Sequence, residues 1–240
     1  MARRPRPDQQ EYDLEELSPI RKAIGERTAT SFATKPHFST TALVDASALV
    51  ALREQLKGST EPAPTYNDML IKATARVLEK HRRLNAWIDE EGLKVLRRIN
   101  VSFAVATEQG VLLPVILDAN VKSLAEIAAE AREMVEMARR GRLRASLQMG
   151  GGFVLSNIGP GRVEWFTAII SPPQVAILSI GSLLHRPMVV NGEVVARPSF
   201  YATLTVDHQA IDGADAAAFV NEFVGLLESE EALRAALGIE

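Results

Sequence analysis

The sequence predicts a single α/β domain with a mixed, mostly antiparallel sheet covered by helices. Three observations lead to this fold class. Stretches with helical spacing of apolar residues alternate with stretches of period two. Turn signals, of which Asn191-Gly192 is the strongest, lie between several predicted strands. No shift in composition after residue 16 marks a second domain.

Local start and stop signals place the individual elements. Ser18-Pro19 combines an N-cap with a proline at the first helical position, and two capping-box spacings begin at Thr65 and Ser123. The predicted helices span 19–34, 46–57 (capped by Asp45), 65–83, 123–140 and 214–228. The predicted strands are 37–44, two strands within 99–117 around a turn at 108–110, 153–157, 174–184 and 194–207.

Composition excludes several classes of function. The net charge of −3 gives no global signal for nucleic acid or an acidic membrane surface, and no run of eighteen apolar residues predicts a membrane span. The absence of cysteine removes disulfides, thiolate metal sites and a cysteine nucleophile. Residues 1–16 begin basic, turn acidic and contain no apolar segment typical of a secretory signal. We expect a flexible N-terminal arm over 1–16 and a cytoplasmic protein.

Of the four histidines, His208 has the most unusual context. It ends a predicted strand, and Asp212-Gly213 follows at the entry to the last helix. One interpretation is structural, because Asp212 can cap exposed amides and Gly213 permits a tight backbone. The other makes His208 a general base oriented by nearby carboxylates. No third ligand at a useful spacing accompanies the pair, so a metal site is the weakest interpretation.

The other histidines have simpler interpretations. His81 lies in a charge cluster at a predicted helix end, and His185 follows a strand. His37 stands at a strand start, and its role stays open.

The stretch from Met149 to Gly161 (MGGGFVLSNIGPG) is the second unusual segment. It has neither the ending of a phosphate-binding loop nor the Gly-x-Ser-x-Gly pattern of hydrolases. Its glycines indicate either a turn that serves packing or close approach of the backbone to another group. In the second case, the Ser156 hydroxyl could donate a hydrogen bond to an oxyanion formed during acyl transfer.

These two segments, together with the blocks around them, resemble the catalytic domain of the dihydrolipoamide acyltransferases of 2-oxo acid dehydrogenase complexes. Asp207-His208-x-x-x-Asp212-Gly213 resembles the family's active-site motif, and four further blocks follow the family's order. The resemblance covers about 17–237. Blocks that carry it include LSPIRKAIGERTATSFATKPHFSTTALVDASALVALREQL, INVSFAVATEQGVLLPVILDANVKSLAEIAAEAREM and GGFVLSNIGPGRVEWFTAIISPPQVAILSIG.

The resemblance implies a chloramphenicol acetyltransferase-like fold and a reaction. An acyl group would move between the thiol of a dihydrolipoyl group and that of coenzyme A. His208 would be the general base, Ser156 would stabilise the oxyanion, and Asp212 would hold the loop and the imidazole. The two residues of one site would come from neighbouring subunits of a homotrimer, which could assemble further into a cage. No metal takes part.

Two departures from the family qualify this expectation. Gln209 stands where relatives usually carry arginine, and the PGRVEW loop at 160–165 places its glycine differently. No lipoyl or subunit-binding domain is recognised in this sequence, so a lipoyl group would come from another domain or protein. A coenzyme A-dependent acyltransferase for a free small-molecule acceptor and a non-catalytic trimeric scaffold remain alternatives. Contacts to the coenzyme A phosphates are unassigned; Arg21, Lys22 and Arg27 are candidates, although a solvated helix face explains them as well.

Overall fold

The protein is described by a computed structural model that covers residues 12–58 and 61–239. A central seven-stranded sheet is covered on one face by helices, as the fold class predicts. The helices are α1 (Pro19–Thr34), α2 (Ser47–Leu56), α3 (Tyr66–Leu78), α4 (Leu124–Arg139), α5 (Gly213–Glu228) and α6 (Glu230–Leu237). The strands are β1 (His37–Asp45), β2 (Ala86–Asp89), β3 (Gly92–Val95), β4 (Val101–Phe103), β5 (Val105–Thr107), β6 (Gly110–Leu112), β7 (Val115–Ile116), β8 (Phe153–Asn157), β9 (Ala176–Ile180), β10 (Leu184–Val190) and β11 (Glu193–Asp207).

The strand order of the sheet is β1-β11-β9-β8-β4-β7, with β10 also paired to β11. The pairs β9–β8 and β8–β4 are parallel, and the remaining pairs are antiparallel. The sheet is therefore mixed and mostly antiparallel, as predicted. The long strand β11 has three partners. On one side β10 pairs its first half and β9 its second half, and on the other side β1 pairs residues 199–207.

The two faces of the sheet differ in chemistry. Leu155, Leu178 and Leu204 form one row of paired residues and belong to the main hydrophobic core under the helices. Paired residues share a face, and neighbours along a strand lie on opposite faces. The next row across the strands therefore faces the other way, and it contains hydroxyl side chains. The candidate site uses this second face.

Several predicted boundaries were wrong. Helix α3 ends at Leu78 instead of Arg83, and a 3₁₀ turn over Arg82–Leu84 follows it. Residues 99–117 form four short strands rather than two. The single strand predicted over 174–184 is instead β9 and the first residue of β10, which continues to Val190. The predicted order also lacked the β2–β3 hairpin and α6. Apart from α6, the missed elements are two to seven residues long, and a segment so short shows little of the hydrophobic period that identifies a strand.

Residues 12–18 form no helix or strand and are exposed, while residues 1–11 of the predicted arm lie outside the described residues. The flexibility of that arm stays a prediction. No helix in the described ranges has the length and hydrophobicity needed to cross a membrane.

Candidate active site

His208 lies on the turn that connects β11 to α5. Asp207, the last residue of β11, has no exposed surface, whereas the next side chain, His208, is exposed. The ring of Phe38 meets the imidazole edge-on, with 5.4 Å between the ring centroids. Within the described residues the imidazole nitrogens have no hydrogen-bond partner. The fold thus presents this imidazole to solvent from a buried strand end.

Backbone hydrogen bonds hold the turn closed. The amides of Ala210 and Ile211 donate to the carbonyl of Asp207 at 2.9 and 3.0 Å. The guanidinium of Arg83 donates to the carbonyl of Ala210 at 3.0 Å. The turn therefore has a defined conformation before any ligand binds.

The segment that connects α1 to β1 forms two further hydrogen bonds with the same turn. The amide of His208 donates to the carbonyl of Pro36 at 2.8 Å. The side-chain amide of Gln209 donates to the carbonyl of Thr34, the last residue of α1, at 2.7 Å. Gln209, the position that departs from the family pattern, thus ties the turn to the end of α1.

A buried ion pair lies beneath the turn. The ammonium of Lys35 is 2.8 Å from Oδ2 of Asp207, and both side chains are almost fully buried. Oδ1 of Asp207 accepts the backbone N–H of Gln209 at 3.1 Å. Both carboxylate oxygens therefore have partners, as a buried charge requires.

Asp212 acts as the N-cap of α5. Its Oδ1 accepts the amides of Ala214 and Asp215 at 3.0 and 2.9 Å. No hydrogen bond in the described part of the chain joins it to the imidazole of His208. Asp212 accordingly caps α5, as the structural interpretation predicted, while its expected roles of holding the loop and the imidazole for catalysis stay predictions.

Ser156 belongs to a row of hydroxyl side chains that crosses four strands. It is half-buried on β8 and pairs with Ser179, which pairs with Thr203, which pairs with Thr41. The hydroxyls of Thr41 and Thr203 are hydrogen-bonded at 2.9 Å, while that of Ser179 is buried without a partner. Among the described residues, the hydroxyl of Ser156 has no hydrogen-bond partner and is free to donate.

The structure does not bring Ser156 and His208 together within one chain. Ser156 pairs with Ser179, which pairs with Thr203, so Thr203 lies opposite Ser156 two strands across the sheet. His208 follows Thr203 by five residues, just past the end of β11, and this direction along the sheet leads away from the end of β8. At about 3.4 Å per residue and about 4.8 Å per strand, the two residues are about 20 Å apart. One chain therefore does not assemble both predicted residues into one site.

The loop after Ser156 is held by residues 181–183, the short link between β9 and β10. The amide of Ser182 donates to the carbonyl of Val163 at 2.9 Å, and its hydroxyl donates to the carbonyl of Gly159 at 3.2 Å. A Cβ atom on Gly181 would lie 1.8 Å from the carbonyl oxygen of Glu164. The loop 160–165 is therefore packed directly on the glycine.

The remaining predicted candidates lie elsewhere. His81 binds Glu222 of α5 at 2.9 Å, and His185 is exposed on β10. His37 accepts the amide of Ile170 through Nε2 at 3.0 Å, and its Nδ1 is 2.7 Å from the carbonyl of Lys35. His37 thus joins β1 to the loop before β9, which gives the open position a structural role.

The candidates for coenzyme A contacts lie on α1. Arg27 donates to the carbonyl of Pro172 at 2.6 Å, so it links α1 to the loop before β9. Arg21 and Lys22 are exposed. Within 12–58 and 61–239, no group of three or more histidine, aspartate and glutamate side chains could hold a metal ion.

Sequence reasoning missed Lys35. The residue follows α1 and stands 172 positions before Asp207, so no local spacing connects the two. One signal was present in the sequence. The link between α1 and β1 is short, so Lys35 must lie next to the start of a strand.

The sheet and its helices place the protein in the chloramphenicol acetyltransferase-like fold class. A chloramphenicol acetyltransferase chain matches 89% of this chain with a TM-score of 0.57 and 15% identity, which establishes the likeness of fold alone.

The family follows from the sequence. A model of the 2-oxoacid dehydrogenases acyltransferase catalytic domain matches residues 9–235, and the chain belongs to this family. The acetyltransferase component of the pyruvate dehydrogenase complex of Zymomonas mobilis is 36% identical, over 88% of this chain and 49% of its own length. The corresponding Bacillus subtilis protein is also 36% identical, over 90% of this chain and 50% of its own length. The chain thus spans about half the length of these curated relatives.

Solved structures agree with this assignment. The Azotobacter vinelandii dihydrolipoamide acetyltransferase has a TM-score of 0.88 and 30% identity, covering 95% of this chain and 94% of that one. A serine, a histidine and an asparagine were investigated for their role in its catalytic mechanism. The cubic core of a pyruvate dehydrogenase multienzyme complex has a TM-score of 0.89 and 29% identity, covering 99% of this chain and 100% of that one.

Proposed function

We propose that this chain transfers an acyl group between the thiol of coenzyme A and that of a dihydrolipoyl group, which another domain or protein supplies. The observation that carries the proposal is the position of His208. In a chain of this acyltransferase family, an exposed imidazole stands on a turn that backbone hydrogen bonds and the buried Asp207 carboxylate hold in place. An imidazole on such a fixed turn can accept a proton while the backbone of the turn stays in place.

Residue spacing supports the choice of site residues. In the Azotobacter vinelandii enzyme, the investigated serine precedes the histidine by 52 residues, and the asparagine follows the histidine by four. Ser156, His208 and Asp212 have the same separations. The third position carries a carboxylate here instead of an amide, and either side chain can cap a helix.

In the proposed reaction the substrates supply both thiols. His208 removes the proton of the attacking thiol, and the sulfur forms a bond to the thioester carbonyl carbon. Ser156 donates a hydrogen bond to the resulting oxyanion, a contribution typically worth about a hundred- to a thousandfold in rate. When the intermediate collapses, the bond to the other sulfur breaks and His208 returns the proton to that leaving thiol. Asp212 keeps the turn in place.

We further propose that neighbouring subunits complete each site in a homotrimer. The estimated separation of about 20 Å between Ser156 and His208 in one chain supports this arrangement. Helix α1 buries only Ser31 against its own chain, which leaves a long surface for a neighbour. The likeness to a cubic core supports further assembly of trimers into a cage.

The test is acyl transfer from a panel of acyl-CoAs to free dihydrolipoamide, with the native chain and His208→Ala compared. Acetyl-CoA heads the panel because the matched relatives are acetyltransferase components. We expect the native chain to turn over and His208→Ala to lose about a hundredfold or more of kcat, since general-base catalysis contributes about 10²–10⁴-fold. His185→Ala, which removes an exposed histidine on β10, is the matched control and should keep its rate.

Three outcomes would contradict the proposal. A native chain that is inert with every donor would favour the scaffold, and rapid transfer to an amine or hydroxyl acceptor would favour a small-molecule acyltransferase. Equal rates for the native chain and His208→Ala would remove His208 as the base.

A further inference from the structure

The turn that carries His208 packs on the buried carboxylate of Asp207, whose negative charge needs a partner. Asp207 is adjacent to His208 in the chain, has no exposed surface and binds the amide of Gln209, on the other side of His208, through Oδ1. A buried carboxylate keeps its charge only when a cation or several donors compensate the lost hydration. In the described ranges, Lys35 is the one cation paired with Asp207.

The position of Lys35 couples this ion pair to three other contacts. Lys35 stands between Thr34 and Pro36, whose carbonyls accept the Gln209 side chain and the His208 amide. Its own carbonyl is 2.7 Å from Nδ1 of His37. The segment 34–37 therefore contacts the turn through two carbonyls and one ammonium. Of these contacts only the ammonium carries charge, and a side-chain substitution can remove it alone.

We propose that Lys35 is a positioning residue for His208. Its ammonium holds the Asp207 carboxylate so that Oδ1 fixes the following turn and directs the imidazole. The inference rests on the proposed function, because it gives Lys35 an effect on the rate of acyl transfer. A displacement of about 1 Å at a reacting group can cost about a hundredfold in rate.

The test compares kcat and KM for acyl-CoA and dihydrolipoamide in the native chain, Lys35→Met and Lys35→Arg. We expect Lys35→Met to lower kcat by about ten- to a hundredfold with both KM values within about twofold, because the imidazole is misplaced while the substrate surfaces remain. Lys35→Arg should recover most of the rate, because it keeps the charge.

Lys72 provides a matched control. It is also a buried lysine, but its ammonium binds the carbonyls of Asn120 and Lys122 at 2.7 and 2.5 Å, away from the turn. Lys72→Met should lower the melting temperature while kcat stays within about twofold of native. An equal loss of kcat in Lys72→Met and Lys35→Met would mean that removing any buried lysine slows the enzyme, and it would overturn the proposal.

The charge-cancelling double variant Lys35→Met/Asp207→Asn separates charge from packing. It should be faster than Lys35→Met, because no unpaired carboxylate is left beneath His208. If Lys35→Met does not fold, Asp207→Asn tests the pair from the other side, and a kcat within twofold of native would refute the inference.

The outcomes distinguish the two proposals. A native chain inert with every donor would overturn the acyltransferase proposal and this inference with it. An active native chain, an inert His208→Ala and an unchanged Lys35→Met would overturn the role of Lys35 alone.

Discussion

Glycines before β8 and before β10 lie where neighbouring atoms leave no room for a side chain. A Cβ atom on Gly151 would lie 2.0 Å from Oγ of Ser102, and one on Gly152 would lie 2.1 Å from Oδ1 of Asn85. The sequence left open whether this glycine run serves packing or approaches another group. The approaching groups are side chains of the same chain, so packing explains these two residues.

At the residue scale, Gly181→Ala is expected to destabilise the protein by about 1–3 kcal/mol, because the new methyl group overlaps the carbonyl of Glu164. Gly225→Ala is the matched control: Gly225 is exposed within α5 and has no atom within 4 Å of the added Cβ. Alanine there should stabilise by about 0.5–1 kcal/mol. Urea unfolding measures both changes. Equal effects of the two substitutions would contradict the packing of the 160–165 loop on Gly181.

At the element scale, five of the six helices in the described part of the chain begin with a side-chain cap, and α2 does not. The predicted cap of α2 by Asp45 was wrong, because its N-cap is Ala46, which makes no side-chain bond. Thr65 with Asp68 and Ser123 with Glu126 form complete capping boxes, in which each side chain bonds to the other residue's backbone amide. Both boxes were predicted from spacing, since the chemistry is confined to four consecutive residues. The end of α3 was missed, because packing of the following 3₁₀ turn decides it.

The capping box of α4 makes a pH-dependent prediction. Hydrogen bonds from the Ser123 hydroxyl and amide hold the pKa of Glu126 below its ordinary value of 4.5. A lowered folded-state pKa contributes stability above pH 4.5, and this contribution is lost as the pH falls through the folded-state value. Glu126→Gln should therefore lower the melting temperature at pH 7, with the difference vanishing at strongly acid pH.

Glu133→Gln is the control for this prediction, because Glu133 is exposed on the same helix. Thermal unfolding from pH 7 to pH 2 measures both variants. A Glu126→Gln difference that stays constant with pH would mean that the ionised carboxylate does not cap α4.

At the scale of the whole molecule, the separation of Ser156 from His208 predicts complementation between inactive chains. Ser156→Ala and His208→Ala chains should each be slow alone. When the two variants are co-assembled in equal amounts and mix at random, about one quarter of the interfaces contain an intact serine and an intact histidine. Activity should therefore recover to about a quarter of native. The two variants assembled separately and then mixed without subunit exchange are the control, and no recovery after co-assembly would rule out shared sites.

The sequence by itself determined most of the elements and singled out the candidate histidine. The capped helix starts, the Asn191-Gly192 hairpin and the N-capping aspartate near His208 all arise from hydrogen bonds and steric limits among residues a few positions apart. Alternation of hydrophobic patterns was enough for the fold class, because each pattern must bury one face. The family resemblance supplied the reaction and the candidate residues.

Only the tertiary structure decided which distant residues meet. The pairing of β1 with β11 brings Lys35 to Asp207, and the order of β11, β9 and β8 separates His208 from Ser156. Strand order and register depend on the burial of whole faces against distant segments, which no local spacing records. The position of His208 could be predicted from its neighbours in sequence, whereas its support could be found only in the fold.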